Sequence, residues 1–150
     1  MKIKPLADHK EVLPILTDWY LSEWEPYYGV DGPGDAQADL ESRCNFEEIP
    51  IGLLAIEGDQ VCGTVALDLD AATNLTPSVV GLLVGRAHRR RGIAAALLKS
   101  AEDLARLLGY SRVYMSTTVL GDLLERMGWH KLGEVEFLNT ERGLIYVRDF

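Results

Sequence analysis

The densest chemistry in the chain is a run of cations closed by a glycine, Arg89-Arg90-Arg91-Gly92-Ile93-Ala94, with Arg86 and His88 just before it. Guanidinium groups hold phosphate through charge-assisted hydrogen bonds. Glycine lets a ligand approach the backbone closely. The run stands where an apolar stretch, Val79 to Val84, gives way to a helical pattern. That pattern sets Leu97, Leu98, Ala101, Leu104, Ala105 and Leu108 on one face, at steps of three and four. A strand feeding through a basic loop into a helix gathers free N–H groups and the positive helix end at one spot. Such a spot binds phosphate or pyrophosphate.

The elements that position this loop are legible in outline. A short first strand spans residues 1–6, and Asp8-x-x-Glu11 has the form of a capping box. The helix it opens carries Val12, Ile15, Leu16, Trp19 and Tyr20 on one face out to about Trp24. Pro14 requires that helix to start late or to bend. Residues 25–34, rich in Pro and Gly, read as a loop, and 35–44 as a short helix. Apolar runs at 51–56 and 61–69 flank a Gly-Asp turn and predict a hairpin. After the long helix stops at Gly109, a strand is expected at 112–116 and a short helix at 121–127. A closing hairpin, 131–138 with 144–150, completes one α/β domain over residues 1–150.

Arg89-x-x-Gly92-x-Ala94 behind an apolar strand resembles the acetyl-CoA-binding motif of the GNAT superfamily of N-acetyltransferases, Arg/Gln-x-x-Gly-x-Gly/Ala. Leu123 to Trp129 resembles that family's second signature, a short helix ending in Gly-Phe or Gly-Trp. The resemblance implies a mixed sheet of about six to seven strands flanked by about four helices. It implies acetyl-CoA as cosubstrate. Backbone groups of Leu82, Leu83 and Val84 would meet its pantetheine and acetyl carbonyl, and Arg89, Arg90, Arg91, Gly92, Ile93 and Ala94 its pyrophosphate. The implied reaction is direct attack of a primary amine, on a small molecule or peptide, at the bound thioester. A ping-pong route through Cys44 or Cys62 has no neighbouring histidine or helix start to support it.

One position departs from the family pattern. Members commonly carry a tyrosine four residues before the second glycine, as acid for the departing thiolate. Here that residue is Leu124, and Thr117 stands where an asparagine is often found. Ser116 and Thr117, at a strand end, are the replacement candidates, with Tyr114 a third if it points into the cleft. Ser and Thr at such places are also ordinary turn formers. For the base, Asp68 and Asp70 alternate with Leu67 and Leu69 and so share a face, which is equally the pattern of a solvated strand end. Leu124 also motivates a rival reading, an acyl-CoA-binding sensory module without fast chemistry.

The acidic, aromatic segment from Trp19 to Tyr28 falls where family members wall the acceptor site. Glu23, Glu25, Trp24, Tyr27 and Tyr28 are candidates to hold an ammonium by charge and cation–π contact, while Trp19, Tyr20 and Trp129 are assigned to packing. The net charge of -8 opposes general nucleic-acid binding and favours encounter with a cationic partner. His9, His88 and His130 show no metal-ligand spacing. No apolar run approaches the ~20 residues that cross a bilayer. Two cysteines in unrelated contexts suit a reducing cytoplasm. The closing hairpin offers an edge for a homodimer.

Overall fold

A computed structural model describes all 150 residues. Seven strands form one sheet in the order β1-β2-β3-β4-β5-β7-β6. These are β1 (Lys2–Pro5), β2 (Ile51–Glu57), β3 (Gln60–Asp68), β4 (Ser78–Val84), β5 (Arg112–Thr117), β6 (His130–Glu136) and β7 (Arg142–Asp149). Five helices accompany them: α1 (Leu13–Glu23), α2 (Glu25–Tyr28), α3 (Ala36–Ser42), α4 (Ile93–Leu107) and α5 (Gly121–Arg126). Every pairing is antiparallel except β4 with β5. No helix is long and apolar enough to cross a membrane.

The β2–β3 hairpin buries both of its faces, because strand alternation sends neighbouring side chains to opposite sides. Leu54 joins Leu6, Leu16, Tyr20, Leu40 and Leu83 in a core beneath α1 and α3. Ala55 joins Val65, Leu97, Leu98, Ala101, Leu124 and Trp129 in a second core beneath α4 and α5. Helices therefore cover both faces of the sheet. The apolar stripe of α4 is buried as its spacing requires, with one addition. Glu102 is buried too, accepting a hydrogen bond from Trp129 Nε1 at 2.8 Å and facing Arg148 Nε at 3.5 Å.

The N-terminal region corrects three expectations. Asp8 and Glu11 form no capping box: two 3-10 turns, Leu6–Asp8 and Lys10–Val12, precede α1, and its N-cap Val12 supplies no side-chain bond. Pro14 sits in the first turn of α1, so the helix starts late, where a missing N–H costs nothing. Ile15 is exposed rather than packed. The stretch expected as loop at 25–34 contains α2, with Pro26 in its first turn. Asp35 caps α3 by accepting from the Ala38 N–H at 3.0 Å. Strand β3 ends at Asp68, so Asp70 lies in the following turn and the shared-face argument for the pair fails.

Candidate active site

The parallel pair β4–β5 opens the site. Only Ser78↔Tyr114 and Val79↔Met115 are in register; beyond them the strands part and the β4 edge from Val80 onward has no partner on that side. A cavity of about 680 Å³ occupies the gap. It runs from the start of α4, past β4 and the end of β5, to α2, α3 and the β6–β7 loop. Leu82, Leu83 and Val84 line it, and so do Arg89, Arg90, Gly92, Ile93 and Ala94. The β3–β4 register breaks opposite Gly81, whose φ of +61° favours glycine.

At the α4 end the chain is built to receive an anion. Arg90 and Gly92 hold φ of +64° and +77°, and no N–H group from Arg89 through Ala95 donates to a carbonyl of the protein. Orphan N–H groups of a helix's first turn, beside the positive end of its dipole, are the donors that phosphate accepts. A Cβ built on Gly92 meets nothing within 4 Å, so the approach is open. This set fits the pyrophosphate of a coenzyme A. The arginines divide. Arg89 donates from Nε to the Val84 carbonyl at 3.0 Å and from Nη2 to Glu23 at 3.2 Å, while Arg90 lines the cavity. Arg91 turns away, pairing with Glu57 and lying 3.3 Å from His88 Nδ1, and does not line the cavity.

At the other end, residues from five elements meet: α1, α2, α3 with its C-cap, the end of β3, and β4. Tyr20, fully buried, donates to the Gly81 carbonyl at 2.8 Å and accepts from Arg43 Nη1 at 3.3 Å. Arg43 Nε in turn reaches Asp68 Oδ2 at 3.5 Å, and Asp68 Oδ1 accepts from the Leu69 N–H at 2.7 Å. Tyr28 stacks on Tyr20 at 5.5 Å and donates to Asp39 at 2.9 Å. Tyr27 and Trp24 extend this aromatic wall. Burial raises the hydroxyls of Tyr20, Tyr27 and Tyr28 above the ordinary phenol range. Burial by itself would weaken the Arg43 charge, but Tyr20, Tyr28, Asp39 and Asp68 around it outweigh that and hold the guanidinium charged.

The sequence candidates land unevenly. Glu23, Tyr27, Tyr28, Asp68, Asp70, Ser116 and Thr117 all line the cavity; Glu25 and Tyr114 do not. Glu23 is engaged by Arg89. Both oxygens of Asp68 are engaged, Oδ2 by Arg43 and Oδ1 by the Leu69 N–H. Thr117 Oγ1 accepts from the N–H groups of Val119 and Leu120, at 3.2 and 3.0 Å, so it caps the turn into α5 with its own O–H still free to donate. Leu124 is completely buried in the core, and Leu120 and Leu123 face the cavity instead. Trp19 packs on Gly85, where a Cβ would fall 2.7 Å from its ring. Sequence reading misses Arg43 and Asp39. Helix α3 carries no motif, and only a buried arginine in an otherwise amphipathic turn would mark it.

Residues 13–133 match the sequence profile of the Acetyltransferase (GNAT) family. No curated protein matches the chain by sequence. Among solved structures, an aminoglycoside 6'-N-acetyltransferase complexed with coenzyme A superposes with a TM-score of 0.77 at 16% identity, covering 99% of this chain and 97% of its own. The aminoglycoside 6'-N-acetyltransferase from Enterococcus faecium gives 0.75 at 15% identity, with 99% and 97% covered. The ribosomal-protein-alanine N-acetyltransferase from Brucella melitensis gives 0.75 at 17% identity over 100% of both chains. Likeness at such identity is likeness of fold.

Proposed function

The chain belongs to the Acetyltransferase (GNAT) family, whose cosubstrate is acetyl-CoA, and from that premise we propose that it acetylates a primary amine by direct attack on the thioester. The observation that carries the reading is the open β4 edge running straight into the unpaired N–H groups before α4. The acceptor nitrogen, deprotonated, forms its bond to the acetyl carbon as the carbon–sulfur bond breaks. The nitrogen sheds one proton and the thiolate takes one. A lysine-like amine, with a pKa of about 10.4, needs a proton acceptor at neutral pH. Asp70 is better placed for this than Asp68, since its Oδ2 has no partner in the protein while Oδ1 accepts from Ala72.

Thr117 is our candidate for the thiolate. Its hydroxyl, already accepting two N–H groups, directs its remaining proton elsewhere, and a hydrogen bond there would stabilise developing negative charge. A thiol of pKa about 8.5 can take its final proton from water, which accommodates Leu124. Ser116, next along β5, is the second hydroxyl in reach of the cavity. Tyr27, Tyr28 and Trp24 would receive the acceptor, in keeping with the acidic balance of the chain. Two free cysteines support a cytoplasmic setting, and the free edge of β6 is the surface we assign to a second copy.

The test is release of coenzyme A thiol from acetyl-CoA in the presence of a panel of amines. Release that depends on amine is expected, and Thr117→Val should lower kcat about tenfold or more with little change in the affinity for acetyl-CoA. Binding of acetyl-CoA with no release on any amine would favour the acyl-CoA-binding module instead.

A further inference from the structure

The guanidinium of Arg43 is held charged by Asp39 and Asp68 nearby, yet the protein leaves it incompletely hydrogen-bonded. Its residue is only 5% exposed, yet it lines the cavity between Tyr28, Gly81 and Asp68. Five N–H donors radiate from an arginine side chain. The protein engages two nitrogens, both loosely: Nη1 at 3.3 Å from Tyr20 and Nε at 3.5 Å from Asp68. Charge-assisted bonds of this kind normally run about 2.7–2.9 Å. Nη2 hydrogen-bonds to nothing in the protein, and it is not among the sealed polar atoms that lack a partner, so it keeps surface toward the cavity. Asp68 makes no two-pronged pair with it: only Oδ2 reaches the guanidinium, at Nε, while Oδ1 accepts from the Leu69 N–H. A buried charge left this incompletely bonded is costly unless a ligand completes it.

Resting on the acetyl-transfer reading above, we propose that Arg43 anchors a carboxylate on the acceptor, so that the amine acetylated belongs to a free amino acid. Opposite charges then find opposite partners within one cavity. The ammonium-bearing end meets the rings of Tyr27 and Trp24 and the unpartnered oxygen of Asp70. The carboxylate meets Nη2 of Arg43, with Tyr20 and Asp68 fixing the plane of the guanidinium. A polycationic acceptor would leave that buried charge facing another cation. Arg43 is thus a specificity residue.

The experiment compares L-amino acids with the amines made by removing their α-carboxylate, phenylalanine against phenethylamine and lysine against cadaverine among them. Each pair is read as a ratio of kcat/KM, and separately by calorimetric binding to the protein saturated with coenzyme A. The ratio should favour the amino acid roughly ten- to a hundredfold on at least one pair. In Arg43→Gln it should fall toward one, with Arg43→Lys between, since lysine keeps the charge but not the fork. A wild-type protein that favours no amino acid over its amine overturns the proposal, even if Arg43→Gln does not fold. So does a preference that survives in Arg43→Gln. Carboxylate-dependent binding without acetyl release would support the anchor while contradicting the transfer reading, so the two failures are distinct.

Discussion

At the donor end of the cavity every group that would meet a phosphate comes from one continuous segment, β4 through the first turn of α4. At the acceptor end the groups come from α1, α2, α3 and its C-cap Arg43, and the end of β3, stretches far apart along the chain that meet only at the cavity. The donor end uses backbone: orphan N–H groups and two left-handed residues. The acceptor end uses side chains: a buried arginine, two aspartates and a stack of aromatic rings. Backbone donors bind the same phosphates whatever lines the rest of the loop. Side chains can change the acceptor without touching the donor. The two ends touch at Gly81, whose carbonyl Tyr20 holds.

The largest effect should come from placing an anion at the donor end. Gly92→Glu should weaken acetyl-CoA binding at least about a hundredfold by calorimetry, because a carboxylate would compete for the orphan N–H groups. Gly92→Ala separates charge from backbone: its Cβ meets nothing, so it should show only the strain of φ +77°, about 1–2 kcal/mol. If both variants bind alike, the phosphate does not sit there.

Gly81→Ala strikes the joint between the two ends. Its Cβ would fall 2.2 Å from the Tyr20 hydroxyl and 2.9 Å from Arg43 Nη1, on a backbone already at φ +61°. A loss of about 2 kcal/mol or more in stability is expected, with weaker binding of both substrates. If only acetyl-CoA binding suffers, the ends are independent. Arginine by arginine the effects are smaller. Arg89→Ala should weaken acetyl-CoA binding about tenfold. Arg91→Ala, which breaks an exposed pair with Glu57, should change it less than about threefold.

The smallest effect concerns pH. The Tyr20 and Tyr28 hydroxyls titrate above the unfolded phenol value of about 10, since burial disfavours their ionised forms. Their contribution to stability is whole below that value and is lost as pH climbs toward their folded-state values. Melting temperatures should therefore fall above about pH 10, and Tyr28→Phe should flatten the fall by no more than about 1 kcal/mol. An unchanged profile in Tyr28→Phe would mean that other tyrosines carry it.

The same contrast governs how much of the molecule is legible in its sequence. The donor end is readable because its signal is local: Val79–Val84 as a strand, the arginines and Gly92 as a loop, and the period of α4 are contiguous. Even there the direction of the Arg91 side chain is not readable, since it pairs with Glu57, far off along the chain. The acceptor end is not readable, because Arg43 meets Tyr20 and Asp68 only after α1 and α3 fold onto the sheet. Aromatic residues of the 19–28 segment point to the wall, but not to the commitment of Tyr28 to Asp39 and of Glu23 to Arg89. Strand ends are the other weak point. Period-two alternation carries Asp70 onto a strand that stops at Asp68, where the chain turns so that Asp70 can accept from Ala72.

The gap between β4 and β5 is where acetyl-CoA would be held and its acetyl group delivered to an amine. Titration of the purified protein with acetyl-CoA, followed in the same cell by an amine and a thiol reagent, tests it directly. One acetyl-CoA bound per chain and thiol release that begins only on addition of amine is the result predicted here. No binding, or release at the same rate with and without amine, would contradict it.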